Sequence, residues 1–68
     1  MKLSLKACRV NVNATAKEMG EFVGVSADTI YNWETGKHSP RAAQIPKILE
    51  FFNSKGFPVE LNNLNFLP

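Results

Sequence analysis

The side chains that usually begin catalysis are scarce in this chain. Cys8 is its one thiol and His38 its one imidazole, and no Ser/Cys/Asp arrangement surrounds His38. A lone cysteine excludes an intrachain disulfide and a cysteine-based zinc knuckle, and a lone histidine leaves no all-protein zinc site. No catalytic residue, metal or cofactor is therefore expected, and Cys8 reads as a small buried residue. What can do chemistry is charge and amide. Lys2, Lys6, Arg9 and Lys17 make residues 1–17 wholly basic, whereas Glu18, Glu21, Asp28 and Glu34 make residues 18–34 wholly acidic. Residues 35–47 are basic again through Lys37, Arg41 and Lys47, with His38 as an extra donor, and the net charge is +2. Two basic segments separated by an acidic one can fold into one positive face, the footprint of a nucleic-acid binder. A mixed solvated surface accounts for the same charges, so charge alone does not decide.

The elements that must position these groups are short. A chain of 68 residues holds one small domain, and such a chain buries only ~60% of its unfolded surface, which argues against a catalytic cleft with its own supporting shell. Hydrophobic residues at 44% and charged residues at 21% are those of a folded globule. Nothing approaches a membrane-spanning apolar run, and Met1–Lys6 lacks the apolar stretch of a signal peptide, so a cytoplasmic location is expected.

A first helix is expected over Lys2–Val10, with a turn at Asn11 and Asn13. Thr15 can cap a second helix, with Glu18 completing a Thr-x-x-Glu capping box and Gly24 stopping it. Ser26 opens a third helix with Asp28 in its first turn, and Thr35-Gly36-Lys37 closes it. Ser39-Pro40 reads as a cap for a helical turn over Arg41–Ile45, which Pro46 interrupts before a last helix, Pro46–Asn53. Five short helices make the expected fold all-α over residues 1–54. From residue 55 the texture changes. Phe57 to Phe66 alternates apolar and polar residues about Asn62-Asn63, suggesting a hairpin, a single strand or an extended strip laid on the helices.

The most specific pattern lies in Ala16–Thr35. Counting from Ala16, the fifth and ninth residues are Gly20 and Gly24, and Met19, Val23, Val25, Ile30 and Trp33 fill positions 4, 8, 10, 15 and 18. A helix-turn-helix needs this arrangement. The fifth position must be small where the second helix crosses it, the ninth needs a positive φ, and the apolar five point into the angle between the helices. Trp33 is read as core.

With Gly24-Val25-Ser26 leading to Trp33-Glu34-Thr35-Gly36-Lys37, and with Pro40 and Leu5-Lys6-Ala7-Cys8-Arg9, the chain resembles the phage repressor and Cro-like (XRE-type) helix-turn-helix family over about Leu5 to Phe52. It departs from the pattern at several places. Ala16 stands where the family often has a phosphate-touching Gln, Ala14 where it has Leu, Thr35 where it has Asn, and Ala27 where it often has Gln.

The resemblance implies a compact five-helix, lambda-repressor-like domain that binds operator DNA, usually as a symmetric dimer, with Ser26–Glu34 as the recognition helix. Ala27, Asp28 and Asn32 match its base-contacting positions, flanked by Thr29 and Tyr31. Asn32 can pair with adenine N6 and N7, Asp28 can accept from cytosine N4, and Ala27 can touch a thymine methyl. Asp28 as a helix-dipole partner and Asn32 as a solvated amide are the plainer readings. Lys37, His38 and Arg41 lie where the family's loop meets the DNA backbone, and Lys17, Thr15 and Ser26 sit at helix starts that can receive phosphates. Arg9 and Glu34 match the family's structural ion pair.

The expected function is that of a small Cro-like repressor occupying operator DNA, with no enzymatic activity. A homodimer is expected, formed through Pro46–Asn53 and the tail Phe57–Phe66. An antitoxin-type regulator whose tail clasps a protein partner, or a helix-turn-helix module that binds proteins without DNA, is the alternative. Phe22, where the family usually has a polar residue, marks a contact with the tail or a partner.

Overall fold

The computed structural model describes residues 3–60 and 64–65. In chain order these form β1 (Leu3–Ser4), α1 (Leu5–Asn11), α2 (Ala16–Val23), α3 (Ala27–Glu34), α4 (Ile45–Ser54) and β2 (Leu64–Asn65). Three of the four helices start from a hydroxyl cap. Ser4 accepts from the Ala7 amide at 3.0 Å, Thr15 from the Glu18 amide at 3.0 Å and Ser26 from the Thr29 amide at 3.2 Å. Each bond satisfies an amide that the first helical turn would otherwise leave without a partner. The capping box at Thr15 is half made, because the Glu18 carboxylate pairs instead with the Lys55 ammonium of the chain beyond α4. Gly24 ends α2 at φ 93°, and the amides of Gly24 and Val25 both donate to the Gly20 carbonyl. Asn13 takes φ 57° in the turn after α1, a conformation that asparagine tolerates better than most residues.

The expected first helix loses its beginning. Ser4 is its cap and not its interior, and Leu3–Ser4 is extended because it pairs in parallel with Leu64–Asn65, in the register Leu3 to Leu64 and Ser4 to Asn65. Lys2 lies outside the described residues.

The expected helical turn over Arg41–Ile45 is also absent among the described residues, which leaves four helices in place of five. Arg41–Gln44 is a turn closed twice, by the Gln44 amide donating to the Arg41 carbonyl and the Arg41 amide donating to Gln44 Oε1, both at 2.9 Å. The Gln44 side chain thus takes the role expected of Ser39. Helix α4 follows at once from Ile45, with Pro46 in its first turn, where a missing amide hydrogen costs nothing.

The core joins every element. Leu5 and Cys8 of α1, Ala14 of the turn, Ala16, Met19 and Val23 of α2, Ile30 and Trp33 of α3, Ile48, Phe51 and Phe52 of α4, and Leu64 of β2 are all buried. Burial also pushes the Cys8 thiol above its ordinary value, since a thiolate there would be desolvated. Phe57 and Val59 pack on the same core. Phe57, Val59 and Leu64 of the tail therefore lie against their own domain, and the described part of the tail is an extended strip ending in a parallel pair. The Asn62-Asn63 turn and Phe66 lie outside the described residues. Phe22 is 43% exposed and meets Phe51 edge-on, with ring centroids 5.4 Å apart, so its neighbour is α4.

Candidate nucleic-acid interface

The geometry begins at Gly20. A Cβ placed there would lie 2.6 Å from the Val25 carbonyl oxygen and 3.2 Å from the Ser26 carbonyl carbon. Any side chain would push the start of α3 away from α2, so the close crossing of the two helices depends on glycine at this position. Gly24 then turns the chain, and Ser26 restarts it as α3. With Ile30 and Trp33 buried against the core, α3 turns its remaining faces outward. Asp28 is exposed, Tyr31 is half-exposed, and Ala27, Thr29 and Asn32 are partly accessible. Asp28 and Asn32 lie four residues apart, hence one turn apart on the same flank. The Thr29 hydroxyl is 3.1 Å from the Ser26 hydroxyl, so these two groups are engaged with one another as well as with the cap.

Arg9 fixes α3 from below. Its Nε donates to Glu34 Oε2 at 2.5 Å and its Nη2 to Glu34 Oε1 at 3.2 Å, a two-pronged pairing with the last residue of α3. Its Nη1 donates to the Ala14 carbonyl at 3.0 Å, tying the α1–α2 turn to the same group. The guanidinium also lies 5.9 Å from the centre of the Tyr31 ring. Glu34 is nearly sealed from solvent, with only 3% of its side chain exposed. The hydrogen bond to Glu34 raises the Arg9 pKa above its already high value, against a smaller opposing effect of burial, so the guanidinium stays charged.

The basic residues flank α2 and α3 in the chain. The segment after α3 is pinned by the His38 amide donating to the Asn32 carbonyl at 3.2 Å and the Thr35 hydroxyl donating to the Tyr31 carbonyl at 3.0 Å. Lys37, His38 and Arg41 are exposed along it, and Lys17, Thr15 and Ser26 are exposed at the starts of α2 and α3. Thr15 and Tyr31 share the rim of an open depression of about 330 Å³, together with Arg9, Val10, Asn13, Ala14 and Ala16. Ala16 itself is buried, so it offers no side-chain contact there. Sequence reasoning missed the Arg9 bond to the Ala14 carbonyl, the Arg9–Tyr31 stack and the Glu18–Lys55 pair. A backbone acceptor leaves no mark on residue type, and Glu18 and Lys55 are too far apart in the chain for any local spacing rule.

Among the described residues no cluster of histidine, cysteine or carboxylate side chains could hold a metal ion, and no helix is long and apolar enough to cross a membrane. A sequence profile described as helix-turn-helix matches residues 5–57, most of the chain. The protein belongs to this XRE-type helix-turn-helix family of DNA-binding transcription regulators, a regulatory and not an enzymatic family. No curated protein and no solved structure matches the chain.

Proposed function

We propose that the protein is a small Cro-like repressor of phage or mobile-element type, which occupies operator DNA with α3 in the major groove. The observation that carries this reading is the Gly20 crossing, which leaves Asp28, Tyr31 and Asn32 accessible on a helix braced by the Arg9–Glu34 pair. In this reading Ala27, Asp28, Thr29, Tyr31 and Asn32 meet base edges. Lys37, His38, Arg41, Lys17, Thr15 and Ser26 meet phosphates, which set register and supply salt-dependent affinity. Selection of bound duplexes from a random library, followed by a salt titration, tests it. A preferred sequence whose affinity falls steeply with salt is expected; absence of any preference would remove the operator role.

One recognition helix reads only a few base pairs, so a homodimer is proposed, spacing two helices by ~34 Å along the duplex. The outer side of α4 and the tail is the proposed interface. An open depression of about 310 Å³ lies there, lined by Leu49, Glu50, Asn53, Pro58 and Val59. Deleting the tail would also remove buried Leu64 from the core, so Asn53→Glu, at an exposed rim position, is the cleaner probe. It should lower the sedimentation mass from two copies to one.

A further inference from the structure

We propose that N-methylation of adenine or cytosine in the operator switches this protein off, because Asp28 and Asn32 of α3 read bases through their exocyclic amino groups. The proposal rests on the operator-reading function above and specifies what that helix recognises.

Helix α3, Ala27–Glu34, contains no lysine or arginine. Arg9, the cation that pairs with its last residue, is committed to both oxygens of Glu34 and to the Ala14 carbonyl. The two-pronged contact of a cationic side chain with guanine O6 and N7, the commonest specific contact in the major groove, is therefore not available from this helix. Asp28 is exposed in its first turn, and an ionised carboxylate only accepts hydrogen bonds. The major-groove edges offer two donors, adenine N6–H and cytosine N4–H, so a base facing Asp28 must present an amino group. Asn32, one turn further on the same flank, has the donor–acceptor pair that matches adenine N7 and N6. The Thr29 hydroxyl between them is engaged with Ser26. At 1.5 Å rise per residue, Asp28 and Asn32 are about 6 Å apart along the helix, so the amino groups they face lie within about two base-pair steps.

Each of these amino groups has two hydrogens. One is held in the Watson–Crick pair, and the other points into the major groove. A single N-methyl group that leaves pairing intact must take the groove position. It deletes the hydrogen that Asp28 or Asn32 needs and sets a methyl group against a carboxylate or amide oxygen, stripping its water with nothing in return. An N6-adenine or N4-cytosine methyltransferase acting on the same duplex would thus release the operator.

The test uses the full chain and the duplex it selects from a random pool. That duplex is remade with N6-methyladenine or N4-methylcytosine at one position at a time, and affinity is measured at fixed salt. Two sensitive positions per half-site are expected, within about two base pairs of one another, each weakening binding by about 10-fold or more. The exposed-site variant Asp28→Ala should lose sensitivity at one of them, and Asn32→Ala at the other. Selective binding that every methylated duplex retains within about threefold would overturn the proposal alone, since the specific contacts would then lie elsewhere. Sensitivity persisting at both positions in both variants would overturn the assignment to these residues. No preference over random duplex would overturn the operator-reading function, and this inference with it.

Discussion

The corner between α2 and α3 and the segment from Thr35 to Gln44 are built in opposite ways. At the corner, a glycine lets two backbones touch, two hydroxyl caps start the helices, and one guanidinium binds three elements through Glu34 and Ala14. The segment that follows α3 has no regular structure until α4. A few hydrogen bonds at its ends hold it, and Lys37, His38, Ser39, Arg41, Ala42 and Ala43 are exposed. The contrast fits a division of labour. Reading bases requires side chains held in one geometry, whereas meeting phosphates tolerates side chains that adapt, since the charge pattern of a duplex backbone hardly varies with sequence.

Breaking the corner should unfold the protein, and breaking the segment should only weaken binding. The largest effect is expected from Arg9→Met, which strands a buried carboxylate and the Ala14 carbonyl; loss of one partner of a buried pair costs ~3–5 kcal/mol. For a domain this small that approaches the whole folding stability, and the denaturant midpoint followed by Trp33 fluorescence would report it. Gly20→Ala comes next. Its methyl group would meet the Val25 backbone at 2.6 Å, and such overpacking costs ~1–3 kcal/mol. A thermal melt unchanged by this substitution would show that the helices are not in close contact.

The smaller effects lie on the binding side. Asn32→Ala should leave the melt nearly unchanged and lower discrimination at one base pair by ~1–3 kcal/mol. Equal weakening on every duplex would show that the residue reads no base. Lys37→Ala should be the mildest, reducing affinity for all sequences alike and flattening the logarithmic salt slope by about one unit. A change in sequence preference with this variant would move Lys37 from the adaptable region to the rigid one.

The corner was the more legible of the two in the sequence. Its caps and its φ-positive glycine are set by residues within a few positions of one another, so Thr15, Gly24 and Ser26 declare themselves by type and spacing. The small fifth residue of the motif, Gly20, follows from the same count. The segment before α4 is harder to read because Ser39-Pro40 has the composition of a helix start. The Gln44 side chain, which closes a turn on Arg41 instead, carries no comparable signature. The tail was harder still. Alternation about Asn62-Asn63 speaks for a hairpin, but an isolated hairpin is marginal in water. Leu64 gains more by entering the core beside Leu3, a partner that no rule of adjacency would nominate. Arg9 and Glu34 stood out as a pair through the family resemblance, while the carbonyl that completes the arrangement was invisible.

The parallel pairing of Leu3–Ser4 with Leu64–Asn65 turns nearly the whole polypeptide into a ring held by a two-residue clasp. The entropy of closing such a ring grows only with the logarithm of its circumference, each doubling adding ~0.6 kcal/mol. Extra residues spliced in at Ala42–Ala43, both facing solvent, would barely loosen the clasp. The fold can therefore vary the length of its cationic arc while its helical corner stays as it is.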